Sequence, residues 1–328
     1  MTSCVNEPGN ARAIWMLLVA TACWGFSFPA MKTLGFIQAD ILPGSSSWFI
    51  SSLSIVVRFG GAAVVLLLWS RGDWRRITRL EFVEGLGLGL FGGVGLIFQM
   101  DGLAHTSASV SAFLTQFYCL LIPLWVAWRE KKWPSGWVLM SCVMVIAGVA
   151  VLSGFDWRTM RLGRGEWETL IASTIFTGQI LWLQRPIFAG NNVDRFTMVM
   201  FGVIALSAIP IALLTAGRPS DFWRAYASGP ALGVMGMMIV ISTLGAYLLM
   251  NHWQPSLSAT HAGLIYCGEP LFASLFALVL PAWFSGWARV NYPNENLGRD
   301  LLIGGGLVTL ANVLIQLQPE KLLGKRDR

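Results

Sequence analysis

Apolar residues run through this chain in long stretches separated by short polar links. Segments such as Val138 to Val151 lack the alternate polar positions of a half-buried strand, so each reads as a helix without a solvated face. A helix needs about 20 mainly apolar residues to cross roughly 30 Å of hydrocarbon. Runs of that kind fall at 13–32, 48–69, 83–101, 106–128, 136–154, 167–185, 196–217, 230–250, 258–283 and 299–317. A transmembrane β-barrel would show segments of about ten alternating residues and is excluded. The prediction is an all-α membrane protein with ten transmembrane helices and no extramembrane domain of ordinary size. Arg12 before the first run imitates a signal peptide, but no small-residue cleavage site follows, so 13–32 is expected to stay as the first helix.

The links carry an orientation. With the N-terminus in the cytoplasm, the links at Arg71 to Arg79 and Arg129 to Lys132 and the tail from Lys321 to Arg328 lie inside. Fewer basic residues lie outside: Lys32, Arg158, Arg161, Arg164, Arg218, Arg224, Arg289 and Arg299. The excess of Lys and Arg predicts both termini in the cytoplasm of a multi-pass plasma-membrane protein, the inner membrane in a Gram-negative bacterium. The basic loop from Arg158 to Arg164 argues mildly the other way.

The chain also repeats itself. Ser107 to Leu114 precedes Tyr118-Cys119 and Pro123, while Ser256 to Leu264 precedes Tyr266-Cys267 and Pro270. A glycine-rich span follows each, Gly136 to Gly154 and Gly298 to Leu317. Two repeats of five spans result, 13–154 and 166–318. Because five is odd, the second repeat enters the membrane with opposite orientation, an arrangement that puts a site near the midplane between the halves.

Several pieces resemble one family. They are Trp24-Gly25-Phe26-Ser27-Phe28 with Lys32, Arg58-Phe59, the Ser-Ala-rich start of span four and Glu130 after it. Glu269-Pro270-Leu271-Phe272-Ala273 and Gly298-x-x-Leu301-Leu302-x-x-Gly305 complete the set. In this order the chain is similar to the EamA family of the drug/metabolite transporter superfamily. The resemblance implies ten helices, cytoplasmic termini and secondary transport of small metabolites, often as export. Two departures lie on the expected outer face: Pro281-Ala282-Trp283-Phe284 with a longer loop around Asn291 to Asn296, and a long link from Gly35 to Ser47.

Composition fits this picture. Hydrophobic residues make up 55% and charged residues 12% of the chain, about half the charge of a soluble domain. The net charge of +6 lies in links beside the bilayer and implies anionic lipid rather than nucleic acid. Cys4, Cys23, Cys119, Cys142 and Cys267 have no metal-ligand or disulfide spacing, and His105, His252 and His261 share none, so no metal or cofactor is expected. Gly87-x-Gly89-x-x-Gly92 imitates a dinucleotide fingerprint but lacks the βαβ context; Gly85, Gly89 and Gly93 at four-residue steps read as a helix-packing stripe. There is no Walker motif, so energy must come from a gradient or the substrate.

Ionisable residues inside spans are the candidate site. Glu269 and Arg58 sit mid-span, where an arginine costs about 2.5–3.5 kcal/mol on insertion scales. Each has two open readings: substrate contact, with proton coupling at Glu269, or a structural ion pair between them. Lys32 shares a face with Gly25 and Phe28 and either snorkels or lines an outer cavity mouth. Gln99, Gln116, Tyr247 and Tyr266 are further candidates for substrate or coupling ion, against a role as packing glue; Asn312 and Gln316 are read the same way. The expectation is a secondary transporter, an exporter of a small metabolite working by alternating access as monomer or homodimer. The competing readings are a lipid-linked substrate flippase and a non-transporting partner subunit. An enzyme would need acidic or histidine residues clustered at one interface, and the sequence spacing offers none.

Overall fold

The computed structural model describes residues 8–106, 111, 114–152, 163–294, 296 and 298–316, and all regular structure among them is helical. Outside this set lie most of the start of span four, Arg158 and Arg161 of the basic loop, Cys4, and the basic tail from Lys321.

The helices are α1 (Pro8–Ile41), α2 (Ser47–Trp69), α3 (Arg79–His105), α4 (Tyr118–Glu130), α5 (Gly136–Leu152), α6 (Arg164–Leu183) and α7 (Val193–Thr215). Next, α8 (Gly229–Met237) runs through a π-helical stretch, Met238–Gly245, into α9 (Ala246–Trp253). After it come α10 (Ala259–Tyr266), α11 (Glu269–Ala277), α12 (Leu280–Ala288) and α13 (Arg299–Gln316). Among the described residues, five helices are long and apolar enough to cross a membrane: Ala11–Ile41, Ser47–Trp69, Arg79–Leu103, Val193–Thr215 and Gly229–Ser256. Ala259–Ala277 with Leu280–Ala288, bent by 57°, makes a sixth as a broken span.

Two expectations need correction. The supposed long link from Gly35 is helix: α1 continues to Ile41, leaving only Leu42 to Ser46 before α2. No breaker follows Pro29, and Thr33 Oγ1 donates to the Pro29 carbonyl at 2.8 Å within the same helix. At 1.5 Å per residue its 34 residues extend about 50 Å, so Lys32 lies within the helix rather than at its end. The run 258–283 is not one helix either. It breaks at Cys267-Gly268 and again near Val279, where Pro270 and Pro281 begin new segments, because proline lacks the N–H that would continue the preceding turn.

The glycine stripe of α3 packs as expected. A Cβ added at Gly89 would lie 2.5 Å from Val203 Cβ of α7, and Gly85 and Gly93 also abut α7, at Val199 and Ser207. Small residues thus let α3 and α7 approach backbone to backbone. Carboxylates fix both ends of α3. At its start, Thr78 and Glu81 form a capping box, the Glu81 carboxylate also accepts from Asn192 N at 3.1 Å, and Arg195 lies 3.5 Å away. Arg195 forks onto Asp73 at 2.7 and 2.8 Å. At its other end Asp101, fully buried, accepts from Ser47 Oγ at 3.1 Å and from Arg164 of α6.

Two predictions follow from this packing. At Gly25 of α1 an added Cβ would fall 2.7 Å from Phe272 Cβ and 2.8 Å from the Ala273 backbone nitrogen of α11, which cannot yield locally. Gly25→Ala should cost about 1–3 kcal/mol by overpacking, read from thermal unfolding in detergent; an unchanged midpoint would mean that the two helices separate freely. The Arg195 fork holds the Asp73 carboxyl below its usual 3.8. Its contribution is therefore complete above that value and lost as pH falls through the lowered one. On acidification below pH about 4 the parent should lose melting temperature faster than Asp73→Asn, and equal slopes would show the fork to be inert.

Candidate functional site

Two adjoining chambers run between the helices. The larger, about 470 Å³, reaches the end of the bundle where α1 stops and α2 begins. It is lined there by Lys32, Gly35 and Gln38 of α1, Ser51 and Ser54 of α2, Thr106 after α3, and Tyr292. The smaller, about 110 Å³, lies deeper, among Trp24, Gln99, Tyr118, Gln179, Tyr247, Tyr266 and Glu269. Phe28, Met31 and Arg58 line both and form the passage between them.

The residues singled out from sequence divide cleanly. Arg58, Glu269, Phe28, Gln99, Tyr247 and Tyr266 line the inner chamber. Lys32 lines the outer one, its ammonium 5.1 Å from the Tyr292 ring centroid. Gln116 stands one layer back, beside Glu269 and 2% exposed. Gly25 lines neither chamber; it is the α1–α11 contact described above. The side chains of Asn312 and Gln316 lie outside the described residues.

Arg58 is anchored by the π-helical stretch between α8 and α9 rather than by Glu269. Its Nε donates to Thr243 Oγ1 at 2.6 Å and its Nη2 to the Ser242 carbonyl at 3.1 Å. The π-helical stretch makes this possible: Thr243 Oγ1 itself donates to the Met238 carbonyl five residues back, at 3.0 Å, and the widened turn leaves the Ser242 carbonyl to a side-chain donor. On its other side, Nη1 faces Met31 Sδ at 3.9 Å, on the wall of the passage between the chambers.

Glu269 is the first residue of α11, set off from α10 by the turn at Cys267-Gly268. A helix start concentrates unsatisfied N–H groups and favours negative charge, so the break gives the carboxylate a place it lacks within a continuous helix. Aromatic rings close the chamber. Trp24 stands edge-on to Tyr247 at 5.4 Å and to Tyr266 at 5.3 Å, and Phe59 and Phe201 pack against Tyr247. The Trp24 Nε1 and Gln116 Oε1 atoms are buried without a hydrogen-bond partner. The site therefore offers one cation, one anion, aromatic faces and spare polar groups in a small volume.

The fold also builds a cluster that sequence spacing did not reveal. Asp101, His105 and Glu168 bring ligand atoms within 4.8 Å of one another. Arg164 bonds both carboxylates, Glu168 Oε1 at 2.8 Å, and so already supplies the positive charge that a metal would bring. His105 at i+4 from Asp101 was the only local signal; Arg164 and Glu168 come from another helix. Nothing in the sequence marked Thr243, because the register of a π-turn has no hydrophobic signature.

Residues 11–154 match the family described as EamA-like transporters. The first part of the chain is thus similar to EamA-like transporters. An "Uncharacterized transporter" from Archaeoglobus fulgidus is 25% identical over 96% of this chain and 91% of its own length. An "S-adenosylmethionine/S-adenosylhomocysteine transporter" from Chlamydia trachomatis is 23% identical over 96% of this chain and 92% of its own. A crystal structure 17% identical superposes with TM-score 0.69 over 95% of this chain and 99% of that one, which shows the fold alone. With its apolar helices, this makes the chain a multi-pass membrane protein among transporters.

The Arg58 anchor is testable. Thr243→Val keeps shape but leaves a buried guanidinium N–H unsatisfied, which should cost about 1–3 kcal/mol in detergent unfolding, while Thr243→Ser should stay near the parent. Equal stability of the valine and serine variants would show that the hydroxyl does not hold Arg58.

Proposed function

We propose that this chain is a secondary transporter of the plasma membrane, not an enzyme, that exports a small metabolite by alternating access. The observation that carries the reading is the pair of chambers with Arg58 at their junction and Glu269 in the inner one, open toward one end of the bundle. One anion site and one cation site beside aromatic faces suit a zwitterionic solute with a planar or apolar portion. The relative named for S-adenosylmethionine and S-adenosylhomocysteine supports the same chemistry, because both solutes join an amino-acid zwitterion to an adenosine group.

The inverted repeat of ten spans, 13–154 and 166–318, belongs to this proposal. Its support is the pattern of neighbours. The pairing of α3 with α6 matches that of α8 and α9 with α1, the pairing of α3 with α7 matches that of the π-helical stretch with α2, and α2 with α7 and α5 with α13 map onto themselves. Exchanging the two halves maps these pairings onto one another, which supports the repeat. In this reading both termini are cytoplasmic and the chambers face outward. Glu269 takes up and releases the coupling proton, Arg58 holds an anionic group of the solute, and Phe28, Gln99, Tyr247 and Tyr266 shape the inner chamber. Gln116 orients Glu269, Lys32 sits at the mouth, and Gly25 fixes α1 against α11.

Radiolabelled S-adenosylmethionine in proteoliposomes tests the reading. Arg58→Lys keeps the charge but loses the planar fork, so flux should fall at least about tenfold at equal protein content; parent-like flux excludes the anion-binding role. Glu269→Gln should abolish accumulation driven by a pH gradient while leaving exchange of bound solute. Gradient-driven uptake equal to the parent's would remove Glu269 from the coupling step.

A further inference from the structure

One end of the path is open and the other is shut, and the shut end is built from amides. Gln254, in the turn between α9 and α10, is fully buried below the inner chamber, one helical turn after the chamber residue Met250. Its Nε2 donates to the Ile180 carbonyl of α6 at 2.9 Å, and its Oε1 accepts from the Tyr266 hydroxyl at 2.9 Å. Gln184, directly after α6, reaches back across the same seam: its Nε2 donates to the Leu257 carbonyl at 2.7 Å and to the Gln254 carbonyl at 3.3 Å. Arg12 at the start of α1 lies 5.2 Å from the ring of Trp253, which places this seam at the end of the bundle opposite Lys32.

We propose that Gln254 and Gln184 form the latch that closes the Arg12 end of the path, and that Tyr266 reports the state of the inner chamber to it. The proposal rests on the alternating-access reading above. These bonds tie α6 to the turn between α9 and α10, two elements far apart in the second half of the chain, next to the inner-chamber residues Ile180 and Tyr266. Uncharged amides suit a gate that must break and re-form: each bond is modest, whereas a buried ion pair here would be costly to separate. Tyr266 belongs to both levels. Its ring lines the inner chamber beside Trp24, and its hydroxyl holds the Gln254 carbonyl oxygen of the side chain. A solute that shifts the ring pulls on the latch.

The open end carries the matching unmade contact. Gln38 of α1, 1% exposed, lines the outer chamber, and its Nε2 has no hydrogen-bond partner. Closing that end supplies this amide with a partner as the Gln254 amide loses its own, so the two end states stay near balance.

The test reads conformation and needs no known solute. Ser27 of the inner chamber is replaced by cysteine in a chain whose native cysteines are alanine, and a membrane-impermeant maleimide is applied to right-side-out and inverted vesicles. The Ser27→Cys chain should label only from the Lys32 side. Adding Gln254→Met, close in volume but unable to make either side-chain bond, should raise labelling from the Arg12 side by about tenfold and lower it from the Lys32 side. Gln184→Leu, at a half-buried position, should shift it the same way and serves if Gln254→Met fails to fold. A one-sided pattern that neither folded variant changes overturns the latch alone. Equal labelling of the starting chain from both sides overturns the closed end itself, and with it the alternating-access reading.

Discussion

A guanidinium within the membrane needs partners for every N–H that does not face water, and much of this structure can be read from how Arg58 finds them. Water is the usual partner of a cation, and hydrocarbon supplies none. The chain answers with a defect in another helix: the π-helical stretch at Met238–Gly245 turns the Ser242 carbonyl and the Thr243 hydroxyl toward α2. That contact joins the first half of the chain to the second at the junction of the two chambers. Nη1 of Arg58 faces Met31 at the junction of the chambers, so the binding role proposed for Arg58 falls on the same side chain that serves as the strut.

Glu269 shows the same economy from the other sign of charge. It stands at the start of α11, after the turn at Cys267-Gly268, where backbone N–H groups are unsatisfied within the helix, with Gln116 beside it. Arg58 donates its hydrogen bonds to the π-helical stretch, and no ion pair within 4 Å joins it to Glu269 among the described residues. The coupling role proposed for Glu269 rests on that separation.

Ion pairs and amides are divided between rigid and moving contacts. The charged clusters, Asp73 with Arg195 and Asp101 with Arg164 and Glu168, fix the two ends of α3 against its neighbours α6 and α7. The contacts of the proposed latch are neutral, made by Gln254 and Gln184 at the seam on the Arg12 side. The cost of separating charges in a low dielectric makes that division reasonable.

Apolar run length alone set the helical fold, and a cation and an anion inside such runs already marked Arg58 and Glu269. Both readings rest on one simple demand of hydrocarbon, that polar groups be satisfied, whose violations show in a linear string. The glycine stripe of α3 was legible for the same reason, as spacing on one helix face. Three matters were decided only in three dimensions. Lys32 became a helix-interior residue because nothing after Pro29 stops α1, although the local composition read as a link. Asp101, His105 and Glu168 met through α3 and α6, far apart in sequence, and Arg164 filled their centre. Gln254 became a latch because its three partners come from α6 and α10. Hydrogen bonds between distant segments leave no period in the sequence, so the pairing of one helix with another had to come from the fold.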